Sequence, residues 1–516
     1  MEARSKEPVE SLEEARARIS DLEAENATLR SLAEQLLTEK KLAYKRMFAP
    51  SSETSEADQL QLFNEAESTA DDTAAEPATE EITYRRRKAV GKRDADLSTL
   101  EHVRIDYELP KGERVCPTCS HPLHDMGPDV RRELTIVPAK IYVTEHAVHK
   151  YGCRHCDRYD ITTPIIKAHG PKPFLPKTIA SPSLLAHIIE NKYVLSVPLY
   201  RQEADWKSKG ILIPRANMAN WIIASAQKLS PLIEQMRADL LKREVLHADE
   251  TVMQVLKEPD KRPSSKSYMW LYRTGSDAVH PLILYDWQKS RAAACAQSFL
   301  DGYSGYLHTD GYEAYHKLEG VTVVGCMAHV RRKFNDAYEI MPKDARLNSL
   351  AAVGLDWCNK LFALERQWVD TAPEAKHQLR QEKSLPIFDE FICWAKGAGA
   401  LPKSAPGRAI RYLLSQEPYL RNVYLDGRTE ISNNRAERSI KPFVIGRKNW
   451  LFANSIKGAH ASATLYSIIE TAKENGLKVN EYLTWLFEQF GETAPEHYRN
   501  LCPHSGNLPK ELYLTQ

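Results

Sequence analysis

The chain has 516 residues, and its 70 Lys and Arg nearly balance its 69 Asp and Glu, for a formal net charge of +1. This length predicts about three or four domains, and no apolar run approaches the ~18 residues that a membrane span needs. The first residues are charged and lack an apolar core, which argues against a secretory signal. Nine Cys in such a chain indicate free thiols or metal ligands rather than a disulfide framework, so we expect a cytoplasmic protein.

The first predicted element is a coiled coil within residues 1–49. Heptad spacing places Leu12, Ile19, Asn26 and Ala33 at one core position and Ala15, Leu22, Leu29 and Leu36 at the other. Charged residues fill most positions between them, and a lone Asn at a core position favours a defined two-stranded register. We therefore predict a homodimer or larger assembly. The alternative is a helix packed on the rest of the chain.

Two segments of opposite charge follow. Residues 50–83 are acidic, lack periodicity and are rich in small residues, so they predict a linker. Residues 84–110 predict a DNA-binding segment, because a basic run can enter a groove or contact phosphates. The alternative is a solvated charged run. The basic residues concerned are Arg85, Arg86, Arg87 and Lys88.

Residues 111–170 predict a zinc ribbon. Two CxxC pairs offer four thiolates, which suit one tetrahedral structural Zn²⁺; they are Cys116, Cys119, Cys153 and Cys156. The alternation of apolar and polar residues between the pairs predicts a hairpin. His121 and His124 lie close enough to compete as ligands, but four Cys already complete the shell. Free buried thiols are the alternative.

Residues 171–243 predict a helical DNA-binding region with three amphipathic helices, at residues 181–194, 198–210 and 215–229. Gly210 and Pro214 form the turn between the last two, an arrangement similar to helix-turn-helix. Arg215 and Asn217, with Asn220, would face a DNA groove. Three-helix packing without DNA contact is equally compatible with these residues.

Residues 244–339 predict the first part of a catalytic core. Three strand-like runs, a helix, a strand, a helical piece, another strand and a helix indicate a mixed α/β domain of ribonuclease-H-like topology. Asp249 lies on the first strand and Asp310 just past the fourth. These strands would be neighbours, so the two carboxylates would share a metal ion. Glu250 and Asp286 are rival carboxylates, and Glu250 should point to the opposite sheet face.

A third carboxylate, Glu437, lies far along the chain in the basic segment ISNNRAERSIKP. Residues 340–430 are helical and predict an insertion between the two parts of the core. Residues 431–475 then predict the second part, with Asn433 and Asn434 as the N-cap region of the helix that carries Glu437. Residues 476–516 predict a helical tail. The fold class is therefore multidomain α+β.

Long motifs resemble a transposase of the insertion-sequence-66 family, the large catalytic subunit also called transposase C. They include KRMFAPSSE, CPTC…CRHC, GYLHTDGYEAYHKL, CMAHVRRKF and ISNNRAERSIKPFVIGRKNWLFANS, and the match runs almost end to end. The resemblance implies that Asp249, Asp310 and Glu437 form an Asp-Asp-Glu catalytic triad. It also implies a bacterial protein that is nucleoid-associated when on DNA, possible accessory proteins of the same element, and no membrane.

The chemistry of such a triad is metal-dependent polynucleotidyl transfer. Three carboxylates can hold two Mg²⁺ or Mn²⁺ about 4 Å apart, which activate a water or a DNA 3′-hydroxyl and stabilise the leaving oxygen. We expect Asp249 to bridge the ions. Basic residues would bind the DNA backbone: Arg331, Arg332, Arg438, Lys441, Arg447 and Lys448.

Two further side chains have competing interpretations. His329 could face phosphate or a metal-bound water, and Trp450 could stack on an unpaired base. Core packing is favoured for both. At the level of function, the alternatives to a transposase are a metal-dependent nuclease that does not join strands and a DNA-binding regulator with an inactive core.

Overall fold

In the computed structural model, the described residues are 140–151, 166–259, 261–262 and 264–514, with a few helical positions between residues 16 and 25. The linker 50–83, the basic segment 84–110 and all four ribbon cysteines lie outside them. So does most of the predicted coiled coil. Of its core positions, Ile19 and Leu22 are described; both are helical, with exposed fractions of 56% and 52%.

The smaller of two compact units contributes a short strand pair. Strand β1 (Lys150–Tyr151) runs antiparallel to β2 (Ile166–Lys167), and the Ala168 N–H extends the ladder to the His149 carbonyl at 2.9 Å. The predicted hairpin is therefore wrong for residues 140–149, which form no strand. All of them are exposed, so their alternating pattern has no buried face to stabilise a strand.

The larger unit contains residues 171–514 and begins with four helices. The three predicted helices are confirmed, and a fourth follows directly. Ser181 caps the first, accepting the Leu184 N–H at 3.2 Å. Gly210, at φ +78°, makes the turn between the second and third. The helices are α1 (Pro182–Tyr193), α2 (Leu199–Ser208), α3 (Arg215–Lys228) and α4 (Ser230–Leu240).

This unit contains a mixed six-stranded sheet, and five of its strands come next in the chain. These strands and the helices between and after them are β3 (Val245–Lys257), β4 (Lys266–Thr274), β5 (Ile283–Gln288), α5 (Ala293–Phe299), β6 (Tyr306–His308), β7 (Thr322–Val324) and α6 (Met327–Glu339). The spatial order is β5-β4-β3-β6-β7. The first three strands are antiparallel, whereas β6 and β7 run parallel to β3. The predicted order of elements is confirmed, and so is the mixed α/β character.

The predicted insertion is helical and has its own apolar core. Its helices are α7 (Leu350–Gln367), α8 (Pro373–Leu379), α9 (Leu385–Gly397) and α10 (Ala405–Leu420), with a π-helical turn at Arg380–Ser384. Phe334 of α6 and Val324 of β7 also belong to this core. The insertion is thus packed against the part of the sheet that follows Asp310.

After the insertion, the chain returns to the sheet through α11 (Asn434–Trp450), β8 (Ala453–Ser455), α12 (Ile456–Glu474) and α13 (Val479–Phe490). Strand β8 pairs in parallel with the far end of β3. One apolar core runs from Phe174 to Leu512 and joins α1–α4, the sheet and these C-terminal helices. Among the described residues, no helix combines the length and apolar character that a membrane crossing requires.

Candidate active site

Asp249 and Asp310 occupy matching places on neighbouring strands. In the parallel pair β3–β6, His247 is in register with His308, and each aspartate lies two residues beyond its histidine. The two imidazole rings are stacked, with centroids 4.3 Å apart. Because side chains two apart on a strand share a face, Asp249 and its stacked histidine face the same side of the sheet. The prediction that these two strands are neighbours in the sheet is confirmed.

A tight turn orients Asp310. Gly311 has φ +87°, and a Cβ there would meet the Tyr412 hydroxyl at 2.9 Å, so only glycine fits without strain. The Asp310 carboxylate accepts the Tyr312 N–H at 3.0 Å, and its backbone carbonyl accepts the Tyr412 hydroxyl at 2.9 Å. Tyr412 belongs to α10, so the insertion directly supports this aspartate.

Four polar residues hold the start of α11 against the sheet. Buried Asn433 is the N-cap residue, as predicted, but its side chain does not cap the helix. It lies 3.0 Å from His247 Nδ1 and donates to the Ala248 carbonyl at 2.8 Å. The Glu430 N–H donates to His308 Nε2 at 3.1 Å, and the Glu430 carboxylate lies 3.3 Å from His247 Nε2. The stacked histidines therefore connect both aspartate strands to the segment that carries Glu437.

Glu437 lies in the first turn of α11 and faces α6. Its Oε2 accepts from Arg332 at 3.2 Å, and its Oε1 lies 3.6 Å from His329 Nδ1. Cys326 precedes α6, and its Sγ accepts the Asn433 N–H at 3.1 Å. Ligand atoms of Cys326, His329 and Glu437 all lie within 4.8 Å of one another. Core packing was predicted for His329, but its side chain lies beside the third carboxylate, Glu437.

The charges of the predicted carboxylates act on one another, but among the described residues the group whose ligand atoms all lie within 4.8 Å of one another is Cys326, His329 and Glu437, not the predicted triad. Burial raises the pKa of Asp249 well above its ordinary value, and the negative charges of Glu250, Asp310 and Glu437 raise it further. The Glu250 N–H, which donates to Asp249 Oδ1 at 2.8 Å, opposes this shift only in part. Mutually repelling carboxylates that accept few hydrogen bonds are what a divalent cation with oxygen ligands would neutralise.

The rival carboxylates lie on the other face. Glu250 accepts from Arg291 at 2.5 Å and from the Tyr315 hydroxyl, whose ring packs edge-on against Trp270. Burial and the charge of Asp310 raise the pKa of Glu250. Asp286 is two strands from β3, in register with Trp270, and burial raises its pKa to about 6. Glu250 and Asp249 thus have different partners, as the predicted alternation requires, and Arg291 links Glu250 to Asp310, whose Oδ2 it approaches to 4.0 Å.

The predicted DNA-contacting residues differ in their exposure and in their contacts within the protein. Arg215, Asn217, Arg331, Arg438 and Lys448 are exposed. Arg332 pairs with Glu437, and Arg447 donates to Thr251 Oγ1 at 3.0 Å and to the Val252 carbonyl, so it ties α11 to β3. Trp450 packs edge-on against Phe443, with ring centroids 5.5 Å apart. Lys441 is half-buried, and Arg85–Lys88 lie outside the described residues.

Sequence reasoning missed the residues that support the site. His247 and His308 each precede a predicted catalytic aspartate by two positions, in the repeated pattern His-x-Asp. That repetition was the available signal, because the same spacing on two parallel strands puts equivalent side chains side by side. Arg291 and Cys326 gave no comparable signal, since their partners are distant in sequence.

Comparisons with known proteins agree with this architecture. The profile described as "Transposase IS66 family" matches residues 177–461, and a second, described as "zinc-finger binding domain of transposase IS66", matches residues 113–157. The first covers the sheet, the insertion and all three carboxylates; the second covers the four ribbon cysteines. These matches define a transposase with a zinc-finger domain.

Relatives in Sinorhizobium fredii support the same assignment. "Uncharacterized protein y4qI" is 32% identical over 417 residues, which cover 78% of this chain and 74% of that protein. "Uncharacterized protein y4hP" is 29% identical over 477 residues, which cover 86% and 83%. The chain belongs to the IS66 family of transposases.

Proposed function

We propose that this transposase cleaves and joins DNA strands at a divalent-metal site formed by Asp249, Asp310 and Glu437. The observation that carries the proposal is the raised pKa of Asp249, to which the charges of the other two carboxylates contribute. Three acidic side chains from separate elements would not be held together for stability, because their repulsion opposes folding. Bound divalent ions would hold the three carboxylates together, as metal-dependent phosphoryl chemistry requires.

The strand order supports a ribonuclease-H-like assignment for this domain. Three antiparallel strands are followed by two that run parallel to the first, with β3 at the centre of the sheet. This order places the first and fourth strands side by side, which supports the proposal that Asp249 and Asp310 act together. Helix α11 then approaches β3 from the sheet face that His247 and Asp249 share, because Asn433 binds both His247 and the Ala248 carbonyl.

The donor set fits Mg²⁺ or Mn²⁺, since both prefer carboxylate oxygens. The negative charge of Asp249 is opposed by burial and by the neighbouring carboxylates, so Asp249 is the candidate bridging ligand. Asp310 and Glu437 would complete the two ion sites. The bound ions would supply activation of the attacking oxygen and stabilisation of the leaving oxygen. The chain itself orients these ligands: Tyr312 and Tyr412 hold Asp310, and the Asn433 contacts position the helix of Glu437.

DNA would be bound by residues outside the acidic site. Exposed Arg331 lies on α6, and exposed Arg438 and Lys448 lie on α11, the helix that carries Glu437. There they would contact the phosphate backbone. Arg332, Lys441 and Arg447 remain predicted backbone contacts. At the start of α3, exposed Arg215 and Asn217 are available to a groove, as in helix-turn-helix proteins. The basic run at residues 85–88 would add sequence-independent affinity.

The remaining parts of the proposal concern assembly. The coiled coil would make at least a dimer, which suits a protein that must hold two transposon ends. The zinc-finger match supports a structural zinc held by Cys116, Cys119, Cys153 and Cys156. The domain boundaries predicted from sequence and the involvement of accessory proteins of the same element also remain part of the proposal.

A strand-transfer assay tests the catalytic proposal. Purified protein is incubated with Mg²⁺ and a labelled duplex that carries a transposon end, and nicked and joined products are separated on a denaturing gel. We expect both products from the natural protein and at least about a 100-fold loss in Asp249→Asn, Asp310→Asn and Glu437→Gln, since even changes outside a metal's ligand shell cost up to that much.

Asp286→Asn is the matched control for these variants. It makes the same chemical change in a carboxylate on the same sheet, but on a strand two positions away from β3. Its products should match those of the natural protein. Cleavage without joining would replace the transfer proposal with a nuclease, and binding without cleavage would leave a regulator. Full activity in any of the three triad variants would refute the assigned site.

A further inference from the structure

The contact between α6 and α11 contains a set of ligand atoms that differs from the carboxylate cluster. Cys326 and His329 are three residues apart at the start of α6, so they lie on the same side of that helix. Glu437 meets them from the first turn of α11. Sulfur, nitrogen and oxygen donors from these three residues lie within 4.8 Å of one another.

Two of these donor atoms are buried without a partner. Among the described residues, His329 Nδ1 and Glu437 Oε1 are inaccessible to solvent and make no hydrogen bond, although they lie 3.6 Å apart. Arg332 Nη1 lies 3.4 Å from His329 Nε2, so Nε2 accepts and the ring proton lies on Nδ1, which faces Glu437 beyond hydrogen-bond distance. Buried polar atoms are nearly always satisfied, so this gap points to a cation that would take the place of the Nδ1 proton. At bond lengths of about 2.0–2.2 Å, Zn²⁺ would hold a nitrogen and an oxygen roughly this far apart.

The chemistry of the donors selects the ion. Mg²⁺ prefers oxygen and keeps its water, whereas Zn²⁺ accepts thiolate, imidazole and carboxylate together. Three protein ligands with one open position are a common zinc arrangement. Burial raises the pKa of the Cys326 thiol to about 12, so binding must displace its proton; N–H groups of Asn433, His329 and Ala328 favour the thiolate.

We propose that Cys326, His329 and Glu437 form a Zn²⁺ site that competes with the catalytic divalent ions for the Glu437 carboxylate. Binding exchanges the thiol proton for the metal and separates Glu437 from Arg332. Glu437 then no longer faces Asp249 and Asp310 as a free ligand. The site would inhibit strand transfer when free zinc rises, a consequence that rests on the proposed function, whereas zinc binding itself does not.

Counting bound zinc tests the site without reference to activity. The full-length protein, with zinc in its ribbon, is dialysed against buffered free Zn²⁺. The amount of zinc per chain is then measured by inductively coupled plasma mass spectrometry. We expect the natural protein to bind about one more zinc per chain than Cys326→Ser or His329→Gln at the same free Zn²⁺. Cys393→Ser is the matched control, because Cys393 is an exposed thiol elsewhere, and should bind as much as the natural protein.

Inhibition of strand transfer by zinc tests whether Zn²⁺ and Mg²⁺ compete for Glu437. Strand transfer is measured against free Zn²⁺ at two Mg²⁺ concentrations, each variant relative to its own zinc-free rate. We expect Cys326→Ser to need at least about 10-fold more zinc for half-inhibition, and more Mg²⁺ to protect the natural protein. Should Cys326→Ser fail to fold, His329→Gln decides alone.

Three results separate the possible failures. If the natural protein, Cys326→Ser and His329→Gln bind the same amount of zinc per chain, the proposed zinc site is wrong. An additional bound zinc without Mg²⁺-sensitive inhibition would overturn the competition and leave the site. A natural protein that does not cleave DNA in Mg²⁺ would refute the proposed function, and zinc counting would still decide the metal site.

Discussion

Two regions of this protein bury charged side chains, and their charges are arranged in opposite ways. In the helical insertion, Arg380 is fully buried and all its nitrogens donate. Nε and Nη2 bind the two Glu365 oxygens at 2.7 and 2.8 Å, and Nη1 binds the carbonyls of Val423 and Asp426. Nη1 and Nη2 also reach Thr429 at 2.9 Å.

Around the β3–β6 pair of the sheet, by contrast, acidic groups repel one another. Asp249 is repelled by three other carboxylates, and Glu437 leaves one buried oxygen without a hydrogen bond among the described residues. The insertion satisfies its buried charge, because an unpaired buried ion would cost several kcal/mol. The acidic site leaves its charge unsatisfied, and such an arrangement favours a ligand that the chain does not itself supply.

The largest effect predicted from this contrast is structural. Arg380→Ala leaves Glu365 buried without its partner and frees the carbonyls that lead to Glu430. We expect the free energy of unfolding to fall by about 3–5 kcal/mol, measured by urea unfolding. Arg366→Ala, an exposed arginine of α7, is the matched control and should change it by less than about 0.5 kcal/mol. Equal effects of the two variants would show that the buried Arg380 network does not stabilise the insertion.

An intermediate effect is expected where the two regions meet. Asn433→Ala removes the hydrogen bonds to His247 and to the Ala248 carbonyl and leaves both partners buried. The loss should be about 1–3 kcal/mol of stability, together with a fall in strand transfer because α11 is less firmly held. Asn434→Ala, the next residue, serves as the control. Unchanged strand transfer in Asn433→Ala would show that these contacts do not position Glu437.

The smallest effect is a gain in stability and depends on pH. Because folding raises the pKa of Asp249, the folded protein favours the neutral form of this carboxyl group. The contribution of Asp249 to stability is therefore complete below its ordinary pKa of 3.8 and is lost as pH rises through the pKa of the folded state. Asp249→Asn cannot ionise, so without divalent ions it should be more stable than the natural protein at pH 7.

That gain should shrink as pH falls towards 4, and added Mg²⁺ should reduce it as well. Chemical unfolding of both proteins over this pH range, with and without Mg²⁺, measures the difference directly. A variant that is less stable than the natural protein at every pH would show that Asp249 is a structural carboxylate like Glu365.

Local patterns in the sequence predicted most of the elements. Period-two runs marked β3, β4 and β5, and amphipathic spacing marked α1–α3 and the helices of the insertion. The zinc ribbon followed from two CxxC pairs, whose ligands are close in sequence within each pair. Such predictions succeed because each pattern is a property of a short segment. The same reasoning predicted a hairpin between the two Cys pairs, but residues 140–149 of that segment form no strand, since alternation there is not accompanied by burial.

Contacts between distant segments could not be predicted in this way. Asn433 was predicted to cap a helix, yet its side chain binds His247. The hydrogen bonds of Arg447 to Thr251 and Val252 were not predicted either. A side chain with several available partners is assigned by which one tertiary packing brings within reach. Strand β8 was missed for the same reason, because its three residues form a strand only through pairing with β3.

The sequence by itself determined the identity of the three proposed catalytic carboxylates and the order of the elements that carry them, because long motifs and periodic runs are written locally. Only the tertiary structure decided how those carboxylates are supported: by stacked His247 and His308, by Tyr412 of the insertion, and by Arg332. It also placed Cys326 and His329 beside Glu437. These relations join residues far apart in the chain, and their energies depend on burial, which folding alone creates.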